Sequence, residues 1–186
     1  MRLAPKFTRK LASPAITIGS DKITLTGSAG YRSAIATSLK AHSSLYFEAQ
    51  LENDEGYARI GIATTQSELN GPIGMDEFGY SYGNKNGYGF HRSRRVVFGE
   101  RFSKTDILSV YFYKGKKDAM TLEFFINGNR LNRKFENVDP GEYWPAVSLY
   151  GNCCVSFNFG AYFAYETKIV SETQKLLEDQ AKAGKK

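Results

Sequence analysis

The sequence has few of the residues that build disulfides and metal sites. Its 186 residues include two cysteines and two histidines. Cys153 and Cys154 are adjacent, where a disulfide would be strained, and their apolar surroundings favour buried thiols. His42 and His91 have no zinc-ligand spacing relative to them. We therefore expect no metal site, no bound cofactor and a reduced intracellular compartment.

Long apolar runs are missing as well. No stretch approaches the roughly 18 residues that a membrane-spanning helix needs. The first six residues, Met1-Arg2-Leu3-Ala4-Pro5-Lys6, lack the apolar segment of a signal peptide. We therefore expect neither a secreted protein nor a membrane protein.

The common catalytic motifs are absent too. There is no nucleophile elbow and no HExxH, and the glycine-rich run 83–89 lacks the Gly-Lys-Ser/Thr ending of a phosphate-binding loop. Glu48, Glu52, Asp54 and Glu55 cluster near one strand end and leave a carbohydrate-binding or glycoside-hydrolysing sandwich open. Acidic loop residues more often form a solvated surface, so the sequence favours a binding protein that is not an enzyme.

Aromatic residues and glycines are abundant instead. Aromatics make up 14% of the chain and glycines number 18, which is typical of a β domain with many turns. Short strand-like runs alternate with turn signals such as Asn127-Gly128. The pattern predicts an all-β, antiparallel sandwich or jelly roll at 15–165. A basic, mostly disordered tail at 1–14 and a helix or tail at 166–186 would flank it.

The C-terminal segment has a different pattern. Ser171-Glu172-Thr173-Gln174 has the spacing of a helix capping box. Ile169, Val170, Leu176 and Leu177 form one apolar stripe of a short helix. Because a helix of about 12 to 15 residues is marginal alone, its stripe should lie on the sandwich or bind a partner, or the segment should stay partly unfolded.

Positive charge is concentrated in two places. The net charge is +6, and residues 83–104 contain six bases and one acid. The first ten residues contain no acid and four bases, namely Arg2, Lys6, Arg9 and Lys10. Such a tail attracts phosphate without reading sequence, although a merely solubilising end is an equal alternative.

The strand pattern around Arg59 assigns that side chain a face. In Ala58-Arg59-Ile60-Gly61-Ile62-Ala63, the apolar Ile60 and Ile62 alternate with smaller or charged residues. Arg59 should therefore point away from the core. Its guanidinium would be free to form a bidentate pair with a partner's carboxylate, unless a nearby acid of the same chain pairs with it.

Several segments together carry the pattern of a known family. They are Tyr46-Phe47-Glu48, Ile126-Asn127-Gly128, Tyr143-Trp144-Pro145-Ala146-Val147-Ser148 and Asn158-Phe159-Gly160. They resemble the landmarks of SPRY domains, which are bent antiparallel β-sandwiches that bind proteins. The loop 71–82, then Phe90-His91, and the segment from Ser148 to Gly160 resemble one branch more closely. That branch is the absent, small or homeotic discs (Ash) family, from Set/MLL-type (COMPASS) histone H3 lysine-4 methyltransferase complexes.

The resemblance implies a nuclear, non-catalytic scaffold in chromatin regulation. In this family the SPRY domain binds an acidic segment of a WD-repeat propeller subunit, of the retinoblastoma-binding protein type, and supports the SET-domain methyltransferase. Met75 stands where the family has a tyrosine, and Gly83 stands where it has an arginine. Carried over to this sequence, the pocket consists of Tyr31, Arg59, Pro72, Met75 and Lys85.

Further partners follow from the same resemblance. A helix after the sandwich binds a small dimeric docking subunit of the Dpy type in this family, which would make Ile169, Val170, Leu176 and Leu177 anchors. Packing of that stripe on the domain's own surface is the alternative. The basic residues at 2, 6, 9 and 10 would contact nucleosomal DNA non-specifically. A SPRY adaptor of another class, such as a ubiquitin-ligase substrate receptor, is the second functional interpretation.

Overall fold

The fold is a sandwich of two antiparallel β-sheets followed by one helix. The computed structural model describes residues 6–19, 22–25, 30–37, 44–160 and 162–184. In chain order the strands are β1 Lys6–Ala12, β2 Thr17–Ile18, β3 Lys22–Leu25, β4 Arg32–Thr37, β5 Ser44–Leu51, β6 Tyr57–Ala63, β7 Gly79–Gly83, β8 Tyr88–His91, β9 Arg94–Val97, β10 Leu108–Lys114, β11 Met120–Ile126, β12 Asn129–Arg130, β13 Phe135–Glu136, β14 Trp144–Tyr150 and β15 Cys153–Asn158. A 3-10 turn spans Lys116–Asp118, and α1 spans Glu166–Ala183. The all-β sandwich with a C-terminal helix that the sequence predicted is confirmed.

The two sheets take their strands from distant parts of the chain. Sheet 1 has the order β1-β4-β14-β6-β7-β8-β9, and sheet 2 has the order β12-β11-β10-β5-β15-β3-β2, with β13 also on β11. Strands β1 and β9 are therefore the edges of sheet 1. Because β6, β7, β8 and β9 follow one another both in sequence and in space, residues 57–97 build one half of sheet 1.

The core lies between the sheets and is rich in aromatic side chains. In sheet 2, Val110 pairs with Phe47 on one side and with Phe124 on the other, and all three are fully buried. Ile60 and Val147 of sheet 1 pair across β6 and β14 and belong to the same cluster. Burying each such side chain contributes about 1.5–3 kcal/mol, which explains why alternating apolar residues determine the inner faces.

Strand β1 corrects the expectation of a disordered tail at 1–14. Lys6–Ala12 pairs with β4 at the edge of sheet 1, and Phe7 is buried. The Phe7 ring centroid lies 4.8 Å from that of Phe157 and 5.9 Å from that of Phe159. The bases of this segment suggested disorder, but one aromatic anchor and a free strand edge are enough to order it. Residues 1–5 lie outside the described residues.

Helix α1 is longer than expected and begins earlier. It contains 18 residues and its N-cap is Tyr165, which makes no side-chain capping bond. The predicted capping box at Ser171 is therefore wrong, because Ser171 lies inside the helix. The Glu48 carboxylate of β5 instead accepts hydrogen bonds from the N–H groups of Ala164 and Tyr165, both at 2.9 Å. A buried acid from the sheet thus anchors the two residues that precede the helix.

The first half of α1 packs on the outer face of sheet 2, the face turned away from sheet 1. Ile169 is fully buried there, and Val170 and Leu177 are partly buried. Leu176 points outward and is 45% exposed. The apolar stripe thus lies mainly on the domain's own surface, against Tyr46, Tyr111, Tyr113 and Phe125. No helix in the described ranges, α1 included, is long and apolar enough to span a bilayer.

Candidate peptide-binding site

The candidate site is centred on Arg59, on the outer face of sheet 1. Arg59 in β6 has Ser148 of β14 as its cross-strand partner on one side and Gly83 of β7 on the other. Its chain neighbours Ala58 and Ile60 are buried in the core. Since side chains alternate along a strand, Arg59 points away from the core, as its sequence pattern predicted.

Two aromatic rings hold the Arg59 guanidinium in place. Its Cζ lies 3.6 Å from the Phe90 ring centroid and 4.8 Å from the Tyr31 ring centroid. Burial lowers the pKa of Arg59, and the neighbouring Tyr31 raises it in part, but an arginine in such a site remains charged at neutral pH. Burial raises the pKa of the Tyr31 phenol, and the Arg59 charge opposes that rise. Cation–π contacts of this kind fix the orientation of the charge.

The Arg59 guanidinium has no acidic partner in the part of the chain that the structure describes. No carboxylate of the described residues lies within ion-pair distance of it. Its Nε is buried and has no hydrogen-bond partner in the described part of the chain. The alternative that a nearby acid of this chain neutralises Arg59 is therefore wrong for these residues. The charge is positioned but not compensated.

Gly83 creates the space that Phe90 occupies. A Cβ on Gly83 would lie 3.1 Å from Cε2 of Phe90, so the ring covers the position where the family resemblance expects an arginine side chain. Where the resemblance implies a second arginine beside Arg59, this chain has the ring of Phe90. The site therefore has one central positive charge with aromatic rings beside it. The identity of residue 83 alone did not predict this contact with Phe90.

Lys85 is a second basic residue of the predicted pocket, but its ammonium group binds a backbone carbonyl of the neighbouring loop. Its Nζ donates a hydrogen bond of 2.5 Å to the carbonyl oxygen of Asp54. The Asp54 carboxylate accepts a hydrogen bond from the N–H of Lys104 at 2.8 Å. Lys85 is thus tied to the loop between β5 and β6, and a ligand that uses it must compete with a backbone carbonyl.

Pro72 belongs to a long loop, 64–78, that is fastened to the sheet beside Arg59. The Ser148 hydroxyl accepts a hydrogen bond of 2.6 Å from the N–H of Ile73. The Ser33 hydroxyl donates to the carbonyl of Gly71, also at 2.6 Å. Ile73 is fully buried. Since Ser148 is the cross-strand partner of Arg59, these bonds place the half-buried Pro72 at the border of the site.

Met75 lies in the same loop and is 43% exposed. Its N–H donates a hydrogen bond of 3.1 Å to the carbonyl oxygen of Pro72, which closes a turn. Its own carbonyl accepts a 2.7 Å hydrogen bond from the hydroxyl of Ser93 in the β8–β9 turn. The methyl group packs against Gly71, where a Cβ would lie only 2.6 Å from it. Met75 therefore offers an accessible apolar surface where the family has a phenol.

Sequence reasoning missed several aromatic members of the site. Besides Phe90, the Tyr150 ring centroid lies 5.5 Å from that of Tyr31 and 5.6 Å from that of Tyr57. Tyr57 is 42% exposed. The sequence held a signal for Tyr57, which precedes Arg59 by two positions in the same strand and therefore shares its face.

The clusters that could suggest catalysis are occupied by structural contacts. His91 stacks on Tyr80 with centroids 3.7 Å apart, its Nδ1 lies 2.9 Å from the Gly79 carbonyl oxygen, and its Nε2 lies 3.5 Å from Asp139. Glu48, the central acid of the proposed carboxylate cluster, is 4% exposed and binds backbone N–H groups. Among the described residues there is no group of three or more His, Cys, Asp or Glu side chains that could hold a metal.

The basic residues of the N-terminal segment lie on a strand. Lys6 and Lys10 are exposed in β1. Arg9 donates to the Pro14 carbonyl at 3.4 Å and also to the Ile16 carbonyl, so its guanidinium connects β1 to the following turn. Arg2 lies outside the described residues. The structure thus places Lys6, Arg9 and Lys10 on an edge strand.

Relatives are found among subunits of histone methyltransferase complexes. The chain is 26% identical to the Set1/Ash2 histone methyltransferase complex subunit ASH2 of Drosophila melanogaster, over 90% of this chain and 38% of the relative. It is 23% identical to ash-2 of Caenorhabditis elegans, over 83% and 38%. It is 26% identical to the Set1 complex component ash2 of Schizosaccharomyces pombe, over 95% and 39%. The chain therefore spans about two fifths of these relatives, and the predicted resemblance to the Ash family is confirmed.

Solved structures and a family model agree on the domain type. A crystal structure of a human SPRY domain superposes with a TM-score of 0.64 at 18% identity, over 80% of this chain and 98% of that one. The SPRY domain of human HERC1 superposes with a TM-score of 0.68 at 17% identity, over 84% and 99%. At such identities the likeness concerns the fold. The model of the SPRY domain matches residues 44–162, and the chain belongs to the SPRY-domain family.

Proposed function

We propose that this SPRY domain is a non-catalytic scaffold subunit of a nuclear histone H3 lysine-4 methyltransferase complex. Its Arg59 site would bind an acidic segment of a WD-repeat propeller subunit, of the retinoblastoma-binding protein type, and the pair would support the SET-domain methyltransferase. The names of the relatives from fly, worm and fission yeast support membership of such a complex. The observation that carries the binding proposal is an arginine fixed between two rings without an acidic partner among the described residues.

The energetics favour a carboxylate as the ligand group. A hydrogen bond between charged groups contributes about 1.5–3 kcal/mol, and the rings already restrict the guanidinium, so little side-chain entropy remains to be lost. Tyr31, Tyr57 and Tyr150 add aromatic surface for an apolar or aromatic side chain of the same peptide. With a single unpaired arginine, we expect micromolar binding, because the second arginine of the family is absent.

Calorimetric titration with an acidic peptide from the propeller subunit tests this site. We expect Arg59→Gln to weaken binding at least tenfold, which corresponds to about 1.4 kcal/mol, and added salt to weaken binding by the unaltered protein. Arg133→Gln is the matched control, because Arg133 is exposed and the charge change is the same. Absence of binding by the unaltered protein would contradict the proposal and favour an adaptor of another class.

Two further contacts of the complex belong to the same proposal. A docking subunit of the Dpy type would bind α1 through its exposed side, where Leu176 is the accessible apolar anchor. Ile169 is buried, so it would support the helix from beneath and not enter the partner's groove. Lys6 and Lys10 on β1 would contact nucleosomal phosphates without sequence specificity.

A further inference from the structure

Of the two edges of sheet 1, the one formed by β9 is the more exposed. Strand β9, Arg94–Val97, is exposed at all four positions, and within the described residues no strand pairs with its outer side. Val96 is 40% exposed and Val97 is 59% exposed. Apolar β-branched residues on an unpaired edge are a recognised risk for unwanted pairing. Their presence needs an explanation beyond the packing of the domain.

The register of the β8–β9 hairpin shows which backbone groups are free. The two-residue turn Arg92-Ser93 has positive φ angles of 51° and 58°, and the pair that closes such a turn is hydrogen-bonded. At the end of the hairpin away from the turn, the N–H of Phe98 donates a hydrogen bond of 2.9 Å to the carbonyl oxygen of Gly87. Since bonded pairs alternate along an antiparallel ladder, Arg95 and Val97 direct their N–H and C=O groups away from β8.

The charges of this edge select the kind of strand that can pair with it. Residues 83–104 contain six bases and one acid, and no acid of the described residues is paired with Arg94 or Arg95. The Arg95 guanidinium lies 5.4 Å from the Tyr88 ring centroid, on the same outer face. A second copy of β9 would add two more arginines to this edge and no acid to pair with them. An acidic strand would be attracted instead.

We propose that β9 binds an extended acidic segment of a partner protein by antiparallel strand addition. Read along the partner, its central residues would be two β-branched apolar residues followed by two acids. The apolar pair would lie opposite Val97 and Val96, and the acids would lie opposite Arg95 and Arg94. The backbone groups of Arg95 and Val97 would supply the new ladder bonds. Strands β7 and β8 lie between β6 and β9, so a strand added to β9 would not contact Arg59 through the backbone ladder. The two positions are nevertheless neighbours, because Phe90, which contacts Arg59, is the cross-strand partner of Arg95.

Fluorescence anisotropy with a labelled ten-residue peptide containing Val-Val-Glu-Glu tests the proposal. The measurements use the Arg59→Gln variant, so that binding at the other site, or its failure, does not affect the result. We expect Arg95→Gln to weaken binding about threefold, the usual scale of a cross-strand charge pair. The control peptide Glu-Glu-Val-Val has the same composition in reversed order, and we expect it to bind at least threefold more weakly.

Two backbone changes distinguish strand addition from simple charge attraction. Val97→Pro removes a free N–H while leaving the β8–β9 ladder bonds intact, and proline is tolerated at such edge positions. A probe peptide N-methylated at every second residue makes the same test with the protein unchanged. We expect each change to reduce binding at least fivefold. Equal binding of both peptide orders, or no effect of N-methylation, would overturn the proposal. So would tighter binding of duplex DNA than of the peptide, because the edge would then be a phosphate-binding surface.

Discussion

Arg130 and Arg59 lie over aromatic rings on opposite outer faces of this sandwich, and they differ in their remaining contacts. On sheet 2, Arg130 lies 4.9 Å from the Phe125 ring centroid and pairs with Glu123, which is 4% exposed. On sheet 1, Arg59 lies over Phe90, and no acid of the described residues pairs with it. The same cation–aromatic contact is therefore part of an ion-pair cluster at Arg130, whereas at Arg59 the described residues supply no carboxylate.

The surroundings of the two arginines explain this difference. Arg130 donates a 2.8 Å hydrogen bond to the Thr173 hydroxyl of α1, and Lys134 lies 3.5 Å from Glu123. Helix α1 thus closes the outer face of sheet 2 over a compensated charge cluster. On sheet 1 the loop 64–78 covers only part of the face, and the guanidinium of Arg59 is bordered by aromatic residues.

The largest expected effect is the loss of the acid on sheet 2. Glu123→Ala should lower the free energy of unfolding by about 2–3 kcal/mol, because it leaves Arg130 partly buried without its partner. Urea unfolding measures this. Glu136→Ala is the control, since Glu136 also pairs with Lys134 but is 60% exposed, and should cost less than about 0.5 kcal/mol. Equal losses would mean that both pairs are mere surface pairs and that the contrast with Arg59 is false.

A substitution in the buried face of α1 tests the packing of this helix on sheet 2. Ile169→Ala should destabilise the domain by about 2 kcal/mol, the lower range for a buried aliphatic residue, and increase amide exchange throughout α1. Leu176→Ala removes a similar side chain from an exposed position of the same helix and should change the stability by less than about 0.5 kcal/mol. The packing of α1 would be refuted in solution by similar effects of the two substitutions.

The loss of stability at alkaline pH allows a tyrosine inside the Arg59 site, Tyr31, to be compared with one outside it, Tyr80. Burial raises the pKa of Tyr80 to about 12, and it raises the pKa of Tyr31 as well, although the charge of Arg59 opposes this. Unfolded phenols lose their protons near pH 10. The stability that the raised pKa of Tyr80 contributes is therefore complete below pH 10 and is lost as the pH rises to about 12. The contribution of Tyr31 is lost in the same direction. Urea unfolding at pH 8 and pH 11 measures the decrease in the free energy of unfolding between the two pH values. We expect Tyr80→Phe to reduce this decrease more than Tyr31→Phe does. A larger reduction by Tyr31→Phe would mean that the Arg59 charge does not lie next to Tyr31.

The smallest expected effect is a change in peptide affinity on substitution of Gly83, the residue beside Arg59. Gly83→Arg should strengthen binding of the acidic propeller peptide about threefold and make it more sensitive to salt, because it adds a second cation beside Arg59. Gly83→Gln, of similar length and without charge, separates this gain from displacement of the Phe90 ring. Weaker binding by both variants would show that the Phe90 contact matters more than a second charge.

The sequence allowed the β-sandwich, the outward direction of Arg59 and the presence of a C-terminal helix to be predicted. Each rests on periodicity within one short segment, which a few neighbouring residues encode. The disordered tail was wrong because the order of β1 depends on Phe7 meeting Phe157, 150 residues away in the chain. The capping-box prediction was wrong because α1 already begins at Glu166, directly after two residues whose N–H groups bind Glu48, which is far away in sequence.

The sequence by itself determined the faces of the strands, since alternation along β6 is a local property, and it determined which residues are charged or aromatic. Only the tertiary structure decided which of them meet. Phe90 reaches Arg59 because β7 lies between their strands and Gly83 has no side chain to keep the ring away. Arg130 finds Glu123 because a tight turn brings β11 and β12 together. Cross-strand register brings together segments that are distant in sequence, and it therefore decides that Arg130 meets Glu123 whereas Arg59 meets Phe90.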